Sequence, residues 1–145
     1  MVKQSLTRAK KIPWSHFGDW LAGNRLRILM YHSISELSSD PHAVSPTHFA
    51  KQMEWLVGRN YQVVPLLEGI ERLKQQKPLR KLVVITFDDA LADFIPGALP
   101  VLSRHSFPAT LFVPTGLIGK TAEWDSYNKT KPILTAEQLQ SLNEY

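Results

Sequence analysis

"KLVVITFDD" (81–89) is the stretch on which the fold turns. Val83, Val84, Ile85 and Thr86 are all β-branched, the side-chain shape that suits a pleated strand. Leu82 and Phe87 extend the run without polar alternation, so the strand is expected to be covered on both faces, as in a parallel sheet. It then stops at two adjacent carboxylates, Asp88 and Asp89. In parallel β/α folds, ligands bind at the C-terminal ends of the strands. Two neighbouring acids also repel, which opposes ionising both unless a cation lies close by. A divalent metal would relieve that repulsion and acidify a bound water, leaving the second carboxylate free to accept a proton. The other use of an Asp-Asp pair is a turn or a helix cap. Placement at the end of a buried strand sets the chemical reading level with it.

Strand and helix patterns alternate on both sides of this run. "LRILMYH" (26–32) suits a strand buried on both faces. In "SPTHFAKQMEWLVGRN" (45–60), Ser45 can cap a helix and Pro46 can occupy its first position. Phe49, Met53 and Leu56 form its apolar face, and Gly58 is the expected stop. "YQVVPL" (61–66) reads as a second strand, and "LLEGIERLKQQ" (66–76) as a helix with Leu66, Ile70 and Leu73 inward. After the acids, Leu91, Phe94, Ala98 and Leu102 keep a helical period that Pro96 and Pro100 should break. "PATLFVPTG" (108–116) supplies a fourth strand. A loop through Trp124 and Asp125 leads to "LTAEQLQSLNEY" (134–145), where Thr135 and Gln138 fit a capping box and Leu134 and Leu139 a hydrophobic staple. The class implied is α/β, built of parallel β/α units. If these units belong to a barrel, an unpaired edge and an uncovered inner face are expected.

The chain has 145 residues, which is one domain's worth, and its net charge of +4 is concentrated at the start. Lys3, Arg8, Lys10, Lys11, Arg25 and Arg27 face one acid there, Asp19. Beyond Arg27 the charge is nearly balanced, which argues against nucleic acid as a partner. Residues 1–26 thus form a basic segment, in which Trp14, Phe17, Trp20 and Leu21 recur at helical spacing. Such a helix can pack on the domain, the favoured reading, or lie on a membrane surface. Cysteine is absent, so any metal must be held by oxygen and nitrogen. No signal peptide or spanning segment is visible, and a cytoplasmic location is the expectation.

"TFDDALADFIPGALPVLSRHSFPATLFVPTGLIG" (86–119) resembles the first motif and following unit of the polysaccharide deacetylases, also called carbohydrate esterase family 4 or the NodB-homology group. "ILMYHSIS" (28–35) and "LTAEQLQSLNEY" resemble further segments in the expected order. The resemblance covers the chain from about Arg27 onward. It implies the N-terminal part of a distorted (β/α) barrel in 27–145, truncated at the C-terminus. The implied activity is metal-dependent removal of acetyl groups from N-acetylated or O-acetylated polysaccharide. By the same likeness Asp88 is the general base and Asp89 a ligand to a divalent metal, most often zinc. The substrate is an acetylated amino-sugar polymer or oligosaccharide.

That family completes its metal site with a His-Ser/Thr-x-x-His pair, and this sequence has none. Four positions after His16, His32, His42, His48 and His105 stand Trp20, Glu36, Pro46, Gln52 and Ala109. "HSFPA" (105–109) comes nearest but precedes a strand, so His105 reads as a helix-end residue. His32, at the end of the first strand, is the histidine better placed to face the site, although a structural histidine bonded to a loop is the favoured reading. Ala90 stands where the family has glycine. If that position needs a left-handed backbone, alanine costs roughly 1–2 kcal/mol. Besides an incomplete deacetylase, the residues leave open a non-catalytic domain that binds glycan or protein. A magnesium-dependent phosphoryl-transfer domain is a third option, but no glycine-rich phosphate loop supports it.

Overall fold

The computed structural model describes residues 24–36, 40–124, 126 and 129–142. The basic segment 1–26, with its aromatic period, lies almost wholly outside these residues, as does Asp125. The chain runs through β1 (Arg27–Tyr31), β2 (Ser33–Ile34), β3 (Ala43–Val44), α1 (Pro46–Gly58), β4 (Gln62–Val63) and α2 (Leu66–Lys74). It continues with β5 (Leu82–Phe87), α3 (Phe94–Gly97), α4 (Leu99–His105), β6 (Thr110–Leu111), a 3₁₀ turn (Thr115–Leu117) and α5 (Ala136–Ser141). No helix among the described residues is long and apolar enough to cross a membrane.

β5 is the axis of the sheet, and all six of its residues are buried. β1 runs parallel along one edge, from Arg27 opposite Val83 to Tyr31 opposite Phe87. The other edge is shared: β4 pairs with Leu82 and Val83, and β6 with Thr86 and Phe87. This sharing explains why the two strands expected over 61–66 and 108–116 pair over only two residues each. Every strand is parallel, as the long buried run implied.

Register partners in a parallel pair point to the same face, so the sheet sorts its side chains cleanly. Leu29, Tyr31, Val83, Ile85 and Phe87 face α1, α3 and α4 and form the main core with Phe49, Met53, Leu56, Phe94 and Leu102. Aromatic rings interlock there: Tyr31 meets Phe49 edge-on at 5.0 Å, and Phe87 meets Phe94 at 4.8 Å. The opposite face carries a smaller cluster of Val64, Leu79, Leu82 and Val84 under α2.

Two expectations need correction on that second face. β1 is not buried on both sides, since Ile28 is 44% and Met30 60% exposed. The reason is that α2 covers Val84 and reaches no further towards β1. Nor does α2 pack through its whole expected face: Leu66 sits against the cluster and Ile70 is half-buried, but Leu73 is 52% exposed. The helix seats on Gly69, where an added Cβ would stand 2.9 Å from Val84 Cγ2 and 3.0 Å from Leu26 Cδ1. A glycine seat brings the backbone itself against the sheet, with Leu66 inside the contact and Leu73 beyond it.

The local signals hold elsewhere. Ser45 caps α1 by accepting the His48 N–H at 3.3 Å, and Phe49, Met53 and Leu56 are fully buried. α1 ends at Gly58, although the left-handed residue beyond it is Asn60, at φ 56°. The proline-interrupted helix divides into α3 and α4 at Ala98, because Pro100 has no N–H to continue the ladder. At α5, Thr135 and Gln138 close the capping box in both directions, at 3.2 and 2.9 Å.

Candidate active site

The acid pair emerges where β5 ends, and its backbone is unusual. Asp88 N–H donates to the Tyr31 carbonyl at 2.8 Å, continuing the β1–β5 ladder by one bond. Asp89 and Ala90 then both turn left-handed, at φ 66° and 47°. Aspartate tolerates this conformation better than most residues, whereas alanine pays for its Cβ. The glycine-like demand at position 90 is therefore real in this chain. Consecutive residues of this kind persist only when their surroundings fix them. Here Leu134 N–H donates to the Ala90 carbonyl at 2.9 Å, and Ala92 N–H to the Pro132 carbonyl at 2.8 Å.

Neither acid is the cap of the next helix. Asp93 occupies the N-cap of α3, and its carboxylate turns instead to Ser33 and Lys131. Asp88 and Asp89 line a cleft of about 460 Å³ with Phe112, Val113 and Pro114. Phe112 reaches it because its N–H donates to the Phe87 carbonyl at 2.8 Å, carrying the β6 pairing up to the strand mouth.

His32 is where its position at the strand end suggested. Its Nε2 lies 3.9 Å from Asp88 Oδ2, with both side chains partly open to solvent. The His42 ring follows at 5.2 Å from that of His32, and His42 Nδ1 lies 3.7 Å from Asp40 Oδ1. His48 bonds to the Ser45 hydroxyl, and His105 ends α4 beside Phe107. His42, Phe112, Asp93 and Lys131 escaped the sequence reading, since no motif or periodicity links them to the acids.

The fit of a metal can be judged from these donors. A well-held zinc takes at least three protein ligands. Among the described residues, no group of three or more His, Asp or Glu side chains is gathered to hold a metal ion. The acid pair and its neighbours thus fall short of a complete metal site by themselves.

A parallel sheet with helices packed on it and an acid pair at its C-terminal mouth defines an α/β domain with a candidate site at the strand ends. Comparison with known proteins makes the class specific: the chain belongs to the polysaccharide deacetylase family, whose model matches residues 75–142. YxkH of Bacillus subtilis (strain 168), which its name places among the polysaccharide deacetylases, is 36% identical over 122 residues, covering 83% of this chain and 39% of its own. A poly-β-1,6-N-acetyl-D-glucosamine N-deacetylase of Staphylococcus aureus (strain MSSA476) is 30% identical over 97 residues, or 67% of this chain and 33% of that enzyme. The structure of IcaB from Ammonifex degensii superposes with a TM-score of 0.72 at 29% identity, over 84% of this chain and 49% of that one. The architecture is thereby the N-terminal part of a (β/α) barrel of the deacetylase type. The chain spans about two fifths of the first of these relatives and a third of the second.

Proposed function

We propose that this chain forms the acid-bearing part of a hydrolase that removes acetyl groups from N-acetylated, or O-acetylated, polysaccharide. The observation that carries the reading is the placement of Asp88 and Asp89 together on one cleft at the mouth of β5. In this reading Asp88 is the proton acceptor that activates water, and His32 stands 3.9 Å from it on the same strand mouth, beyond direct hydrogen-bond reach. Asp89 is the carboxylate that would contribute to a divalent metal, zinc by resemblance. That ion would supply Lewis-acid polarisation of the acetyl carbonyl. At least one further ligand would come from outside the described residues. The substrate class rests on the Staphylococcus aureus relative, whose name specifies a β-1,6-linked N-acetylglucosamine polymer.

The incomplete donor set favours a second reading, a domain that keeps the deacetylase fold to bind glycan or protein. Acetate release from a β-1,6-linked N-acetylglucosamine oligomer, with zinc added, separates the two. On the first reading, any release is lost in Asp88→Asn by about 100-fold or more. Release that persists in that variant removes Asp88 from the role of base. Binding of the oligomer without release, unchanged by zinc or by Asp88→Asn, selects the binding domain.

A further inference from the structure

Lys131 sits 38 residues beyond Asp93 in the chain, yet its ammonium lies within a nearly closed polar cluster beside the site. Its side chain is only 13% exposed. Nζ donates to Asp93 Oδ2 at 3.0 Å, to Ser35 Oγ at 3.0 Å and to Ser33 Oγ, and it lies 3.9 Å from Asp40 Oδ2. Ser33 Oγ also donates to Asp93 Oδ2 at 2.7 Å, and Asp93 Oδ1 accepts the Ile34 N–H at 3.4 Å. Among the described residues the buried Asp40 Oδ2 has no hydrogen-bond donor, and the ammonium is the charge that faces it.

These partners belong to two different loops. Ser33 follows His32, and Asp40 precedes His42. Asp93 closes the left-handed loop that starts at Asp89. The segment carrying Lys131 is itself stitched to that loop through the bonds from Ala92 N–H to the Pro132 carbonyl and from Leu134 N–H to the Ala90 carbonyl. A buried cation facing two carboxylates from separate loops holds those loops at one spacing. Removing it would leave both acids in a poorly solvated cluster without the cation they share. The amine does not make Ser33 a nucleophile open to substrate, since Ser33 is fully buried.

We propose that Lys131 is a positioning residue: its ammonium clamps the loop bearing His32 to the loop bearing Asp88 and Asp89, and so sets the distance between the imidazole and the acid. The inference rests on the deacetylase reading only in taking that pair as the working site. The clamp can be tested without turnover.

The experiment is NMR on the full chain, at fixed pH with a chelator present, following the ring resonances of His32. Asp88→Asn should shift them in the wild-type background. In Lys131→Met the same substitution should produce less than half of that shift, while the methyl signals of Val84 and Ile85 stay in place. Lys131→Arg, which keeps the charge, should retain most of the response. Should Lys131→Met fail to fold, Asp40→Asn/Asp93→Asn/Lys131→Met removes the ammonium and both carboxylate charges together and takes its place. An undiminished response in the folded variant, or an equal loss in Lys131→Met and Lys131→Arg, overturns the proposal. Acetate release that persists in Asp88→Asn would count against the deacetylase reading and leave this result untouched.

Discussion

The backbone N–H of Asp88 donates to the carbonyl of Tyr31 at 2.8 Å, and this bond fixes how the site leaves the sheet. Tyr31 and Phe87 are register partners at the ends of β1 and β5. The residues that follow them, His32 and Asp88, therefore emerge side by side, and their side chains come within 3.9 Å. Strand register thus brings imidazole and acid out at the same end of the sheet, and the contacts of the loops beyond β1 and β5 set the remaining spacing of their side chains.

Ala90 gives the first prediction, because opposing effects there nearly cancel. Ala90→Gly relieves a left-handed alanine, worth about 1–2 kcal/mol. It also removes a fully buried methyl, about 0.8 kcal/mol, and loosens the unfolded chain by about 0.4–1 kcal/mol. The net change in urea unfolding should lie within about 1 kcal/mol of zero. Ala90→Val adds a β-branched group to the same strained, closed position and should lose about 3 kcal/mol or more. A well-tolerated valine would show that the loop is not held as described.

Gly97 is a sharper case, since the obstacle is backbone. A Cβ there would lie 2.4 Å from the Ile34 carbonyl oxygen and 2.9 Å from the Ile34 side chain. Gly97→Ala gains about 1 kcal/mol of helix propensity in a helix only one turn long. The clash should outweigh it and leave a net loss of about 1–3 kcal/mol. Hydrogen exchange gives the local signature: α3 pushed off β2 should speed exchange of the Ser35 N–H, which donates to the Val44 carbonyl at 3.0 Å. Unchanged protection at Ser35 would contradict this account.

What could be read from the sequence was what neighbouring residues decide among themselves. The β-branched run of β5, the Phe49–Met53–Leu56 face and the Thr135–Gln138 box are all local, and each formed as expected. The length of β4 and β6 could not be read, because it depends on two strands dividing one edge of β5. Gly69 as the seat of α2 was equally hidden, since a glycine contributes nothing to a hydrophobic period. At the site, the acids announced themselves through their place at a strand end. Lys131 did not, because its partners lie 38 to 98 residues away and only the folded chain gathers them.

Zinc affinity tests the incomplete donor set. With no group of three ligands among the described residues, the chain alone should bind zinc with a Kd weaker than about 1 μM, or less than about 8 kcal/mol. Complete structural zinc sites reach about 10–16 kcal/mol. Calorimetry should show this weak binding fall further in Asp89→Asn. Nanomolar affinity would mean that further donors of this chain join the acid pair.

Tyr31 makes alkaline stability a probe of the core beneath the site. Its phenol is buried against Phe49 and Phe87 and donates to Gln52 Oε1 at 2.6 Å. Burial pushes its pKa well above the ordinary value of 10.0, because ionisation would place a charge in the apolar layer. In the unfolded chain the same phenol ionises near pH 10. Tyr31 therefore contributes its full stabilisation below about pH 10, and that contribution declines as the pH rises towards the folded-state pKa. The decline can reach about 1.4 kcal/mol per pH unit for this one group. Tyr31→Phe should lose about 1 kcal/mol at neutral pH with the hydrogen bond to Gln52, but its stability should fall less steeply above pH 10. The two unfolding curves should thus converge as the pH is raised. Parallel curves between pH 9 and 12 would mean that the phenol ionises as readily in the folded chain as in the unfolded one, and the packing that carries the strand mouth would have to be looser than the Tyr31–Phe49–Phe87 contacts require.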